Sequence, residues 1–189
     1  MLDKPVLEHF MQDFFGYGDL TAPLWFIGMG EGGGNTIESL QMRLAAWREG
    51  GGKTLEDMAH YHRRIGSGEL FDAAKPRFQS KWAKLCRTYL EVRQRPCDTE
   101  STRMFQRNVL GREASGTCLM ELMPLPSPGL STWSYDVWSD IDYLRSRNLY
   151  MSEVLPKRGA VPKKVDLRKQ AALRRILWCW LSGLLGTHS

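Results

Sequence analysis

WFIGMGEGGGN, residues 25–35, is the stretch on which the fold turns. With Leu24 in front it contains an apolar run, LWFIGM at 24–29, closed by Pro23 on one side and by glycines on the other. A short apolar run between turn residues reads as a buried strand rather than a helix. Five glycines then strip the turn of side chains, leaving Glu31 among them. Asn35, with Glu38 three positions later, has the form of a capping box that opens a helix. Ile37, Leu40, Leu44 and Trp47 share one face of that helix. The unit is strand, glycine turn, helix.

Outward from this unit, the chain of 189 residues is 42% apolar, enough for one substantial core and one globular domain. Gly50, Gly51 and Gly52 end the first helix, and Thr54 with Asp57 forms the cap of a second whose Leu55, Met58 and Ile65 have helical spacing. A third helix is expected over about 76–92, with Phe78, Trp82, Leu85 and Tyr89 on one stripe, and a short one around 104–110. TCLMELMPLPSPG, residues 117–129, begins as a second buried strand, and its three prolines force a loop from about Pro124. Residues 136–150 form a helix carrying Val137, Ile141 and Leu144. Helices separating two buried strands predict an α/β layer with parallel pairing.

The net charge of +5 sits in the tail, where eight Lys and Arg from residue 151 onward face only Glu153 and Asp166. Such a run suits phosphates, or is a solvated surface. Four scattered cysteines show no C-x-x-C spacing, and the first residues lack the apolar run of a signal peptide, which together suggest a cytoplasmic protein with reduced thiols. No stretch is long enough to span a bilayer. AALRRILWCWLSGLLG, residues 171–186, reads either as a basic amphipathic helix or as sequence from which the native frame has been lost. The second is preferred, since a parallel sheet needs more strands than this chain offers. The expected division is therefore one α/β domain over 1–165 and a basic, apolar tail over 166–189.

Several motifs fail on spacing. GGGKT at 50–54 has Trp47 where a phosphate-binding loop needs its first glycine, and it follows a helix. Gly28, Gly30 and Gly33 match a dinucleotide fingerprint by letter, but the acid about twenty residues on, Glu49, ends a helix rather than a strand. His60 and His62 face different ways on a helix, and no nucleophile motif or metal site is visible. What remains is the pair of strand ends. If the strands are neighbours, Glu31 and Glu121 approach one crevice beyond their carboxyl ends, under Trp133 and Tyr135. The alternative is a plain crossover with Glu31 in solvent.

At these residues the chain resembles the uracil-DNA glycosylase superfamily. A hydrophobic strand ending in a glycine-containing water-binding loop is matched by residues 26–32, and a second strand running into prolines by residues 121–126. GYGDL, WFIGMGEGGG and ELMPLPSP, with SRNLY downstream, are similar to an uncharacterised branch of that superfamily, over roughly residues 14–165. The resemblance implies a three-layer α/β sandwich around a short parallel sheet, lacking its last strands here. It further implies hydrolysis of the N-glycosidic bond of a flipped uracil or other damaged base in single-stranded or duplex DNA, without cofactor, metal or obligatory protein partner. Glu31 is then the catalytic residue that stabilises water or sugar. Gly28, Met29, Gly30, Gly32, Glu121, Pro124 and Ser127 contact base or substrate, with Glu121 at the base edge. The chain departs from the family by Glu31 in place of proline and Glu121 in place of the base-reading asparagine, and it has no match to the later histidine or serine loop. The alternative function is a noncatalytic nucleotide or nucleic-acid binding module using the same pocket.

Overall fold

A computed structural model describes residues 1–129 and 131–158 together with the backbone of residues 175–178. Residues 175–178 form a strand, where one expectation was an amphipathic helix over 171–186; the remaining expectations for the tail over 166–189 fall outside the described residues. The fold begins with helix α1 (Lys4–Asp13), opened by Asp3, whose carboxylate accepts from the Val6 amide. Strand β1 (Gly16–Gly18) and strand β2 (Leu24–Gly30) follow, then α2 (Ile37–Glu49). Next come a two-residue strand β3 (Leu55–Glu56), α3 (Met58–Arg64), α4 (Glu69–Asp72), α5 (Ser80–Val92) and α6 (Thr99–Asn108). Strand β4 (Thr117–Met123) leads through the prolines to α7 (Tyr135–Trp138), a 3-10 turn over Asp142–Leu144, α8 (Arg147–Arg158) and strand β5 (Arg175–Trp178).

The strands form one open sheet in the order β3-β1-β4-β2-β5. β2 pairs in parallel with β4, as expected of the two apolar runs, and also with β5, a strand in the tail that was not expected. The sheet is mixed, however, because β1 runs antiparallel to β4 and parallel to β3. A purely parallel sheet was expected because GYG is too short and glycine-rich to register as a strand. Its glycines are what allow the pairing: Gly16 and Gly18 have φ of 130° and 102°, and a Cβ on either would strike the Leu119 or Thr117 carbonyl.

Alternation along β2 and β4 splits the apolar residues between two faces. Leu24, Phe26, Leu119 and Met123 join the main core with buried residues of α1, α2, α3, α4, α5, α6 and α8. Trp25, Cys118 and Met120 form a smaller cluster on the other face, with Phe15 and Ala22 from loops. Among the described residues the helices therefore pack their buried apolar side chains on one side of the sheet, where a three-layer sandwich has helices on both.

Local departures from the sequence reading have simple causes. Thr36, not Asn35, caps α2, its hydroxyl accepting from the Ser39 amide, so Glu38 is one position too early for a capping box. Asp57 alone caps α3, because Thr54 and Leu55 lead into the edge pairing of β3. α5 starts only at Ser80, leaving Phe78 outside under the Arg103 guanidinium at 4.7 Å. α6 starts at Thr99 because Asp98 accepts from the Glu100 and Ser101 amides. The single helix expected over 136–150 is instead α7, the 3-10 turn and the start of α8. Trp133 explains part of that break, since its indole N–H reaches the Leu144 carbonyl at 2.7 Å and fixes the turn.

Candidate functional site

Register places the site. Gly28 on β2 lies opposite Glu121 on β4, and Gly30 opposite Met123, so both strands end together. The loops beyond them are tied where the Ser127 amide donates to the Glu31 carbonyl at 3.0 Å. Beyond the strand ends lie two cavities of about 410 and 530 Å³ that share Met29, Gly30, Glu31, Gly32 and Lys81. Gly28 and Glu121 line the smaller cavity and Ser127 the larger. Pro124 is buried and lines neither. Trp133 lines the larger cavity, whereas Tyr135 lies in the core with its hydroxyl donating to the Pro126 carbonyl at 2.6 Å.

Glu31 is not in solvent. Its side chain is 15% exposed, Tyr17 on β1 donates its hydroxyl to Oε1, and Arg43 on α2 pairs with Oε2. Burial and then the charge of Glu31 push the Tyr17 phenol well above its usual range, so it remains a donor. Two separate elements, β1 and α2, thus fix one carboxylate at the mouth of the turn.

Glu121 has the opposite surroundings. Its Oε2 is screened from solvent and has no hydrogen-bond partner among the described residues. It rests against the bare face of Gly28, where a Cβ would sit 2.7 Å from Oε2. Burial, and after it the charge of Glu31, pushes the Glu121 carboxyl up to about 8. At neutral pH it is a carboxylic acid, with one donor and one acceptor to offer.

The sequence reading passed over Tyr17, Arg43 and His62, all of which line the smaller cavity. His60 and His62 do face different ways: His60 is exposed, while His62 is only 6% exposed. The His62 ring packs among Trp82, Phe71, Tyr17 and Tyr61 at centroid distances of 5.1–5.9 Å. Its Nδ1 lies 2.7 Å from the Met58 carbonyl, and burial lowers its basicity. Only the spacing from Asp57 to His62, five positions into a capped helix, gave a sequence signal that this histidine turns inward.

In the larger cavity Arg147 lies 5.4 Å above the Trp133 ring and donates through Nη2 to Ser127 Oγ and to the Gly129 and Thr132 carbonyls, each at 2.7 Å. Ser127 is therefore committed to holding its own loop. Among the described residues no group of three or more His, Cys, Asp or Glu is arranged to hold a metal ion, and no helix is long and apolar enough to cross a membrane. No family model, curated protein or solved structure matches the chain.

Proposed function

We propose that this protein hydrolyses the N-glycosidic bond of a flipped uracil or other damaged base in DNA, with the smaller cavity as the base pocket. The observation that carries the reading is Glu121, a residue of the cavity wall whose carboxyl lies against Gly28 with Oε2 unpartnered among the described residues. As a neutral acid it offers a donor beside an acceptor, the same pair that an amide offers. Uracil, hypoxanthine and xanthine all carry an N–H next to a carbonyl, so each is complementary to that edge. The position beyond the carboxyl ends of parallel strands, and a volume of about 410 Å³, suit a base taken out of the stack.

Departure of the base leaves an oxocarbenium-like sugar. A fixed carboxylate stabilises such a charge without reorganising at the moment of reaction, and Glu31, held by Tyr17 and Arg43, has that form. The order β4-β2-β5, all parallel, supports a uracil-DNA glycosylase-like sheet as the scaffold. Oligonucleotides carrying uracil, hypoxanthine or xanthine, single-stranded and duplex, test the proposal through alkali-sensitive abasic sites. Excision of at least one is expected, and intact substrates throughout refute the function.

One observation favours a noncatalytic module in the same pocket: both oxygens of Glu31 are already engaged. Glu31→Gln separates the readings. Excision collapses if the carboxylate stabilises the sugar, whereas binding of the same oligonucleotide changes little in either case.

A further inference from the structure

Two ionisable side chains line the smaller cavity in different hydrogen-bonding surroundings. The Met58 carbonyl only accepts, so at 2.7 Å it requires the proton of His62 on Nδ1 and leaves a lone pair on Nε2. That nitrogen makes no hydrogen bond among the described residues, and the ring lines the cavity between Trp82 and Tyr17. Glu121 lines the same cavity, with Oε2 unpartnered and the backbone of Gly28 as its neighbour. Glu31 cannot serve as a free proton acceptor, because Tyr17 and Arg43 hold both of its oxygens.

We propose that His62 Nε2 takes a proton from the water that attacks the sugar, and that Glu121 gives its proton to the departing base. This rests on the excision reading above. The water oxygen forms a bond to the anomeric carbon as the bond from that carbon to the base nitrogen breaks. The electron pair of the broken bond leaves with the base, which receives the proton of Glu121. His62 ends protonated and Glu121 ionised, and exchange with bulk water resets both.

The surroundings act in the same direction. Burial and the charge of Glu31 raise Glu121 to about 8, while burial lowers His62. In the neutral range the carboxyl keeps its proton and the imidazole lacks one, the reverse of their usual order. His62 faces Tyr17, Tyr61, Glu31, Arg43 and Glu69, with Lys81 on the cavity wall, and Glu121 faces Glu31, Lys81 and Arg158, so these groups tune both limbs of the pH profile.

The test compares kcat and KM against pH for the wild type, Glu121→Gln and His62→Asn, with nitrogen-resolved NMR of His62 in the unmodified protein. The amide of Glu121→Gln keeps the base-reading edge but has no proton to give, so kcat falls by roughly 10²–10⁴-fold with KM nearly unchanged. The loss of activity above about pH 8 disappears with it. The amide of His62→Asn can still donate to Met58 but has no Nε2 lone pair, and it removes the acid limb with a similar fall in kcat.

Near-wild-type kcat in either variant overturns the proposal, as does a proton on Nε2 by NMR, a readout that needs no variant to fold. If the wild type excises nothing, the proposed function falls and this proton path falls with it. Excision that survives both substitutions removes the proton path alone.

Discussion

Arg43→Met removes the guanidinium that pairs with Glu31 while keeping most of the side chain's length. The two side chains are 14% and 15% exposed, so little water is available to replace the lost partner. Taking one member from a buried pair costs about 3–5 kcal/mol, because the remaining charge is left uncompensated. Tyr17 still donates to Oε1, which favours the lower end, about 3 kcal/mol. An exposed pair would cost only about 0–1 kcal/mol. With a urea dependence of about 2 kcal/mol per molar, the unfolding midpoint falls by about 1.5 M. Equilibrium unfolding followed by tryptophan fluorescence and far-ultraviolet circular dichroism measures it, and coincident curves license the two-state treatment. The companion Arg43→Met/Glu31→Gln leaves an amide that still accepts from Tyr17 and recovers most of the loss. A midpoint shift under about 0.3 M, or a double variant no more stable than the single one, refutes the picture of a charge held out of water.

Other perturbations follow from the same geometry. The folded state holds the Glu121 carboxyl at about 8 against 4.5 for an ordinary glutamate, so it binds the extra proton between those values. Wild-type stability therefore falls as pH rises from about 4.5 to 8, by up to about 1.4 kcal/mol per pH unit, and levels off above that. Glu121→Gln flattens the profile of urea midpoints, and an unchanged slope counts against a buried acid. Arg158→Met removes the donors to the Met11, Glu121 and Leu122 carbonyls at 2.7–2.8 Å. Leaving such groups unsatisfied costs about 3 kcal/mol, a melting temperature lower by roughly 6–12 °C by calorimetry, and a fall under about 2 °C refutes it. Gly16→Ala drives a Cβ into the Leu119 carbonyl at a φ of 130°, and backbone cannot move aside as a side-chain tip can. A loss above about 2 kcal/mol is expected, and a variant that melts with the wild type shows that β1 is not seated against β4 as described.

What was legible in the sequence was whatever a short window encodes. The two apolar runs became neighbouring parallel strands, and the glycine turn led into a helix, because apolar length and turn residues are local signals. Glu31 and Glu121 line one cavity, as the strand ends suggested. β1 was invisible because three residues rich in glycine carry no alternation, and its pairing depends on strands distant in sequence, β3 and β4. Tyr17, Arg43 and His62 were missed for a related reason. Each sits in an unremarkable local context and gains its meaning only when the sheet brings three or four elements together around Glu31. The break between α7 and α8 depends on a Trp133 contact to Leu144, which no periodicity announces.

Arg158 also bears on the order in which the molecule assembles. The residue is 2% exposed, and its guanidinium stacks 4.0 Å over Phe15 and donates to Met11, a residue 147 positions earlier. That clasp cannot close until residue 158 has left the ribosome, long after α2 has supplied α1 with its first neighbour through Phe10 and Trp47. Contacts of such separation are slow to form, because the loop between them must first give up its freedom. The same side chain holds the backbone of Glu121 from behind. The backbone behind the crevice is therefore held only once residue 158 has emerged, and a nascent chain that ends between residues 123 and 158 has β2 and β4 without the clasp that sets them.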